Sequence, residues 1–297
     1  MSIAVKPVPT IATTRVAWHQ RKNTRVRIGQ SIVFILLTLG AILFVAPVVW
    51  MFVSALKSNV DIFDGRWIPQ TVNWSNFTSA WAEAPFGIYA RNTVIVATVG
   101  VVGNVLSSSL VAYSFARLRW PGRNVCFILV LATMLLPNVV LFIPQYILWA
   151  KLGFVNTWVP LTVPAWFGSP FYIFLLRQFY RGIPTDLTDA ARIDGAGDFR
   201  IWWNIVVPLS RPALAAVTIF AFTGAWEDFF GPLIYLNNQS KYTLQLGLQV
   251  FESAAGGVPQ WNYLMAVGLL IMLPVIVLFF IGQKYFIEGV TLTGIKG

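Results

Sequence analysis

Between Arg27 and Lys57 lie 29 consecutive residues without a charge, and four more runs of this kind follow: residues 92–116 (25 residues), 124–150 (27), 152–176 (25) and 253–283 (31). About 20 apolar residues already cross the hydrocarbon layer as a helix, so each run is long enough to span. A sixth stretch, residues 212–236, is interrupted only by Glu227 and Asp228. Backbone groups in lipid must be satisfied within their own segment, and the alternating pattern of barrel strands is absent, which leaves helices. The predicted fold class is an all-α membrane protein with six transmembrane helices.

Composition excludes the other classes. Charged residues make up 11% of the chain and apolar ones 57%, whereas a soluble domain carries about 25% charged residues. An aromatic share of 15% and a mean hydropathy of +0.69 exclude disorder. Cys126 and His19 are single, so an intrachain disulfide or a Cys/His metal cluster is not expected, and the metal-ligand reading is none. The first apolar run is too long for a signal-peptide core and no small-residue cleavage site follows it, so it is expected to remain as an anchor in an uncleaved chain.

The net charge of +10 reads as a topology signal rather than as a nucleic-acid footprint. With six spans, both termini share a side that holds 16 of the basic residues, including Arg117, Arg119, Arg123, Arg177 and Arg181, against five on the other side. The positive-inside rule makes both termini cytoplasmic. Residues 1–28 form the cytoplasmic tail and residues 29–297 the transmembrane domain, with a core module at about 88–290. The opposite side takes residues 57–91, a short turn near Lys151 and residues 237–261. Asn73 and Asn76 match the glycosylation acceptor pattern there, a match that arises often by chance.

Residues 181–211 make the longest connection on the basic side and read as two short helices. Pro184 suits a first helical turn and Thr185 or Asp186 its cap; Gly195 supplies a left-handed stop; Asp198 can cap a second helix that ends before Pro208. Leu187, Ala190, Ala191 and Asp194 follow i, i+3, i+4, i+7 spacing and give a flat face of small residues on which another backbone can dock. A solvated connector is the alternative. A DNA-reading helix pair is disfavoured, because the spans press this loop to the membrane and Arg192 and Arg200 face four aspartates.

The run Asp189-Ala190-Ala191, then Gly195, Ile205 and Pro208, resembles the EAA signature of permease subunits in ATP-driven importers. Asp189 stands where that family usually has Glu and Val207 where it usually has Leu. Asn92-Thr93, Ala116-Arg117-Leu118, Pro121-Gly122-Arg123, Asn156-Thr157, residues 225–236 (AWEDFFGPLIYL) and residues 289–297 (GVTLTGIKG) extend the likeness to the maltose-type, MalG-like carbohydrate permeases. That resemblance implies the type I, MetI-like importer fold in a bacterial or archaeal cytoplasmic membrane. It implies a coupling helix carrying Asp189, Ala190, Ala191, Asp194 and Gly195, with Pro208 beyond, that docks into an ATPase subunit. It further implies a second permease as heterodimer partner, a pair of ATPase subunits, an extracytoplasmic sugar-binding protein facing residues 237–261, a carbohydrate substrate, and a C-terminal tail touching the ATPase pair.

No G-x-x-x-x-G-K-[ST] phosphate loop occurs. The chain is therefore expected to be no enzyme and to hold no cofactor, ATP being bound by the partner subunits. The competing class is an ion-coupled secondary carrier, which places several ionisable groups at membrane depth; here only Glu227 and Asp228 qualify. An acid near the bilayer centre costs roughly 2.5 to 3.5 kcal/mol, so this pair is expected to face protein or water, one acid at a cavity and the other paired with a helix or with Arg91. Trp226 and Phe229 are candidates to stack on a sugar ring, and Asn138, Gln145 and Trp166 to face the same pathway or to pack. Pro137 and Pro144 are expected to kink the third span, and Asn104, Ser107, Ser108 and Ser109 to pack helices together.

Overall fold

The computed structural model describes the backbone of residues 18–254 and 260–294, and the side chains of residues 29–137, 139–253 and 260–284. Residues 1–17 of the tail and the last three residues, on which part of the terminal expectations fall, lie outside the described residues. The chain divides into two units, residues 1–51 and 52–297.

The first unit carries most of α1 (Trp18–Leu56). Within it Gly29–Leu56 is a candidate span of 28 residues whose most apolar 18-residue window has no buried residue. Leu43 is 71% exposed and Phe44 81%. A helix that is apolar all round and bare is one solvated by hydrocarbon or by other helices.

The second unit contains, in chain order, α2 (Ser75–Glu83), α3 (Phe86–Arg117), α4 (Arg123–Ala132), α5 (Asn138–Lys151), α6 (Val159–Thr162), α7 (Pro170–Gly182), α8 (Thr185–Ile193), α9 (Asp198–Ile201), α10 (Val207–Leu209), α11 (Arg211–Trp226), α12 (Phe230–Tyr235), α13 (Leu244–Ala254) and α14 (Trp261–Gly294). Among the described residues four helices are long and apolar enough to span: Gly29–Leu56, Phe86–Arg117, Val159–Gly182 and Trp261–Lys284. Counting each of two bent pairs as one span brings the total to six.

The third span is bent, as expected of its prolines. The run 124–150 is α4 and α5 meeting at 102°. A 3-10 turn at Thr133–Leu135 and Pro137, which holds ψ at 130° before α5, end the first half. Pro144 sits inside α5. The fourth span starts only at Val159 and runs past Leu176 to Gly182, so Arg177 and Arg181 lie on the helix rather than beyond it. The fifth helix stops at Trp226, and Glu227 to Phe229 form a break before α12. Residues 237–261 also hold more than a loop, because α13 occupies Leu244–Ala254. Asn76, one of the two acceptor-pattern asparagines, is buried and donates to the carbonyls of Ala55 (2.8 Å) and Lys57 (2.9 Å), so its amide is already committed.

α3 is the central helix, packed against α7, α11, α13 and the irregular turn Val163–Phe167. Small residues let these neighbours come close. A Cβ on Gly103 would lie 2.5 Å from the Trp166 ring, and one on Gly247 would collide with Tyr89. Ser107 donates to Ala165 O (3.3 Å), and Ser108 bonds both Asn104 and the Ser169 amide at 3.0 Å. The serines thus pack helices, as expected of small polar residues between spans. Two buried clusters result. One, around Tyr113, Phe115, Tyr180, Ile201, Trp202 and Val206, lies at the end bearing α8; the other gathers Phe86, Tyr89, Trp226, Leu244, Val267 and Ile271.

Candidate functional site

The 181–211 connection is anchored before it is exposed. Arg117, at the last turn of α3, donates to the carbonyls of Tyr180 (2.6 Å) and Ile183, so a fixed cation sits on the carbonyl end of α7 where the helix dipole favours it. Pro184, with φ −54° and ψ 135°, then redirects the chain into α8. No side chain caps α8, which corrects the Thr185 or Asp186 assignment; Thr185 instead accepts from Thr188 Oγ through its carbonyl at 2.7 Å. Thr188 is the buried residue of the helix.

The far end of α8 closes as a Schellman turn. Ala196 N donates to Ala191 O at 2.9 Å and Gly195 N to Arg192 O at 3.0 Å, with Gly195 at φ +80°. That pairing satisfies the last carbonyls with a left-handed residue, which is where glycine is needed. Nothing lies within 4 Å of a Cβ built on Gly195, so the position is open to whatever docks there. Arg192 then clamps the turn, reaching Asp189 at 3.1 Å and Asp198 at 3.2 Å. The Asp198 hydrogen bond, helped by Asp189, raises the Arg192 guanidinium above its ordinary value.

Asp198 is therefore a clamp partner and not a cap; Gly197 holds the cap position of α9 without a side-chain bond. The second helix also does not end before Pro208. It widens into a π turn at Trp202–Val206 and continues through Pro208 to Leu209, then bends by 84° into α11. After a π turn the hydrogen-bond register has slipped, so a residue without an amide proton is tolerated at the start of the next turn.

Asp189, Ala190, Asp194 and Gly195 are exposed, whereas Ala191 is half-buried and packs on the cluster around Tyr113 and Trp202. Sequence reasoning named Leu187, which is exposed, but missed three further apolar members: Ile193 is 87% exposed, Phe199 67% and Trp203 51%. Their signal was large apolar residues in a polar connection immediately around the glycine stop. Behind α8, a cavity of about 860 Å³ separates it from the α3–α4 turn, with Arg117, Arg119 and Arg181 among its walls.

The second candidate set is dispersed. Trp226 is buried, donates to Ile271 O at 3.0 Å and stacks on Phe222. Glu227 is exposed at the end of α11. Asp228 is half-buried, and its Oδ1 accepts from Gly231 N at 3.0 Å, so of its two expected pairings it takes the helix; Arg91 lies in a different cleft beside Lys241. Phe229 packs edge-on against Phe230, and Gln145 is exposed on α5; the Asn138 side chain falls outside the described residues. Phe142 on Phe230 and Tyr146 on Tyr235 join α5 to α12, which brings the helix of Gln145 to the acidic break. Among the described residues no group of three metal-ligating side chains forms.

At the opposite end α3 holds the segment leading to α13. Asn92 donates to the carbonyls of Ser240 and Tyr242 at 2.9 Å each, and Thr93 Oγ accepts from Leu244 N at 2.8 Å. Asn92 and Thr93 are thus fixed by backbone recognition.

A family model described as binding-protein-dependent transport system inner membrane component matches residues 104–291. The arabinooligosaccharides transport system permease protein AraQ of Halalkalibacterium halodurans is 34% identical, over 88% of this chain and 96% of its own. The sn-glycerol-3-phosphate transport system permease protein UgpE of Yersinia pestis bv. Antiqua is 33% identical, over 86% and 93%. The diacetylchitobiose uptake system permease protein NgcG of Streptomyces coelicolor is 31% identical, over 84% and 83%. A solved bacterial ABC transporter involved in the import of the acidic polysaccharide alginate has a chain of the same fold, with a TM-score of 0.78 at 24% identity, covering 91% of this chain and 100% of that one. With its exposed α8 turn lying inside the matched region and relatives a third identical along most of its length, this chain belongs to the inner membrane components of binding-protein-dependent transport systems.

Proposed function

We propose that the chain is the permease subunit of an ATP-driven carbohydrate importer, in which α8 and its Schellman turn pass the motion of a partner ATPase pair to the spans. The observation that carries this reading is the joint state of the loop: its outer face, Ala190, Ile193, Asp194 and Gly195, is exposed, while its roots are held by Arg117 and Trp202. A connector with no partner has no use for exposed Ile193 and Phe199 beside a rigid clamp. ATP hydrolysis belongs to the partner, because the chain has no phosphate loop. A second permease completes the pathway, and a sugar-binding protein delivers cargo to the end that carries α13.

The relatives' cargoes, arabinooligosaccharides, sn-glycerol-3-phosphate and diacetylchitobiose, are all rich in hydroxyl groups. A polyhydroxylated substrate follows for this chain, with Glu227 as the exposed acceptor nearest the break in the fifth helix. Both termini and α8 are cytoplasmic by the 16 to five division of basic residues. The test is thiol labelling in a Cys126→Ser background: an impermeant reagent should reach Asn238→Cys from outside intact cells and should reach Ile193→Cys only after lysis. Labelling of Ile193→Cys in intact cells overturns the orientation.

A further inference from the structure

Beside the coupling cavity, between the ends of α3, α4 and α7, lies a second cavity of about 480 Å³ whose walls include Arg123, Arg177, Arg181, Asn124, Phe127 and Ile128. No carboxylate lines it. Among the described residues none of these three arginines forms an ion pair, Asp189 and Asp198 at this end being taken by Arg192. Topology alone asks only for basic residues somewhere near the interface, yet here two of them are built in. The Arg177 guanidinium carbon sits 3.9 Å from the Phe127 ring centroid and its Nε donates to Phe115 O at 3.3 Å. Arg123 Nη1 donates to Leu118 O at 2.8 Å. Three guanidinium groups are thus converged on one concave space with no anion to balance them.

The wall of the cavity continues as an apolar surface. Ile128 is 64% exposed, and Val125 and Leu129 on the same helix are 62% and 61% exposed. A free phosphate or an acidic peptide would use the arginines and leave this surface bare. A diacyl lipid uses both, its phosphate among the guanidinium groups and its chains along α4, and basic pockets between spanning helices are suited to such headgroups. We propose that this cavity is a binding site for the headgroup of an anionic phospholipid, with the acyl chains on the α4 face. Arg123 and Arg181 also wall the coupling cavity, so a bound headgroup would steady the frame on which α8 rests. The proposal requires that the chain spans a membrane and is independent of its cargo.

The test uses the assembled importer in detergent with added phosphatidylglycerol or phosphatidylcholine, bound lipid being counted by native mass spectrometry. Phosphatidylglycerol should be retained in preference, and Arg123→Gln with Arg181→Gln should lower its retention by roughly tenfold or more. Should the double variant fail to assemble, Asn124→Glu places a carboxylate among the same guanidinium groups and should abolish the preference alone. Inorganic phosphate should not displace the lipid. Equal retention of the two lipids, an unchanged preference in these variants, or full displacement by phosphate would each overturn the proposal.

Discussion

The indole N–H of Trp202 donates to Ser109 Oγ at 3.0 Å, and the Tyr180 hydroxyl meets the same oxygen at 2.7 Å. One buried oxygen of α3 therefore holds both the π turn after α9 and α7. Removing it orphans two polar groups, whereas Trp202→Phe removes one donor and leaves Ser109 its bond to Tyr180. Ser109→Ala should cost about 1 to 3 kcal/mol and Trp202→Phe about 1 kcal/mol. Thermal unfolding of the purified complex checks the order; a Trp202→Phe loss exceeding that of Ser109→Ala would show that the ring's packing matters more than the shared oxygen.

Gly195 separates backbone strain from contact. Its φ of +80° and the empty space around it mean that Gly195→Ala is charged only for conformation within this chain, about 1 kcal/mol. Gly195→Asn tolerates that conformation better. Gly195→Asn should therefore leave stability near the parent value while weakening ATPase association, because its side chain enters the docking surface. Co-purification measures this, and normal association would remove Gly195 from that surface.

Asp64 predicts a pH dependence. Its carboxylate lies 2.7 Å from Lys57 Nζ, a side chain 1% exposed, and accepts from Arg66 N at 2.9 Å. The Lys57 hydrogen bond first, and the Arg66 amide next, hold the carboxyl below its usual range. Since the folded value is depressed, the stabilisation is complete above the unfolded value of about 4 and is lost as pH falls through the folded value. Asp64→Asn should therefore unfold more easily than the parent at pH 6, and the gap should close on acidification below about pH 4. A gap independent of pH would exclude the ion pair as its origin.

Asp228 and Glu227 should part company. Asp228 Oδ1 accepts from Gly231 N at the start of α12, a role an amide oxygen can fill, so Asp228→Asn should transport nearly normally while Asp228→Ala loses about 1 kcal/mol of stability. Glu227, exposed at the end of α11, is the pathway candidate, and Glu227→Gln should raise the apparent substrate constant for uptake severalfold. Unchanged uptake by Glu227→Gln would remove it from the pathway.

Charge-free length was enough to find the candidate spans, because lipid forbids unpaired backbone whatever the side chains are. The kink of the third span was legible in Pro137 and Pro144, but its sharpness was not. The turn at Thr133–Leu135 depends on how α4 and α5 pack. α13 escaped notice because residues 237–261 were assigned as the connection left between two spans, while what secures the chain there is Asn92 and Thr93, about 150 residues away. The Gly195 stop was legible from local chemistry; the Arg192 clamp was not, since it needs Asp198 folded back across the turn. Trp226 illustrates the same limit, for an aromatic beside two acids looks like a sugar platform until its N–H is found on Ile271 O.

The most direct test of the account is a proximity measurement at α8. In a Cys126→Ser background, which removes the single exposed thiol, Ala190→Cys or Ile193→Cys labelled with a maleimide–benzophenone reagent should photo-cross-link to the partner ATPase subunit of an importer that transports. The cross-linked product should hydrolyse ATP without moving sugar. A complex that assembles and transports yet yields no cross-link from either position would contradict the assignment of α8 as the coupling helix.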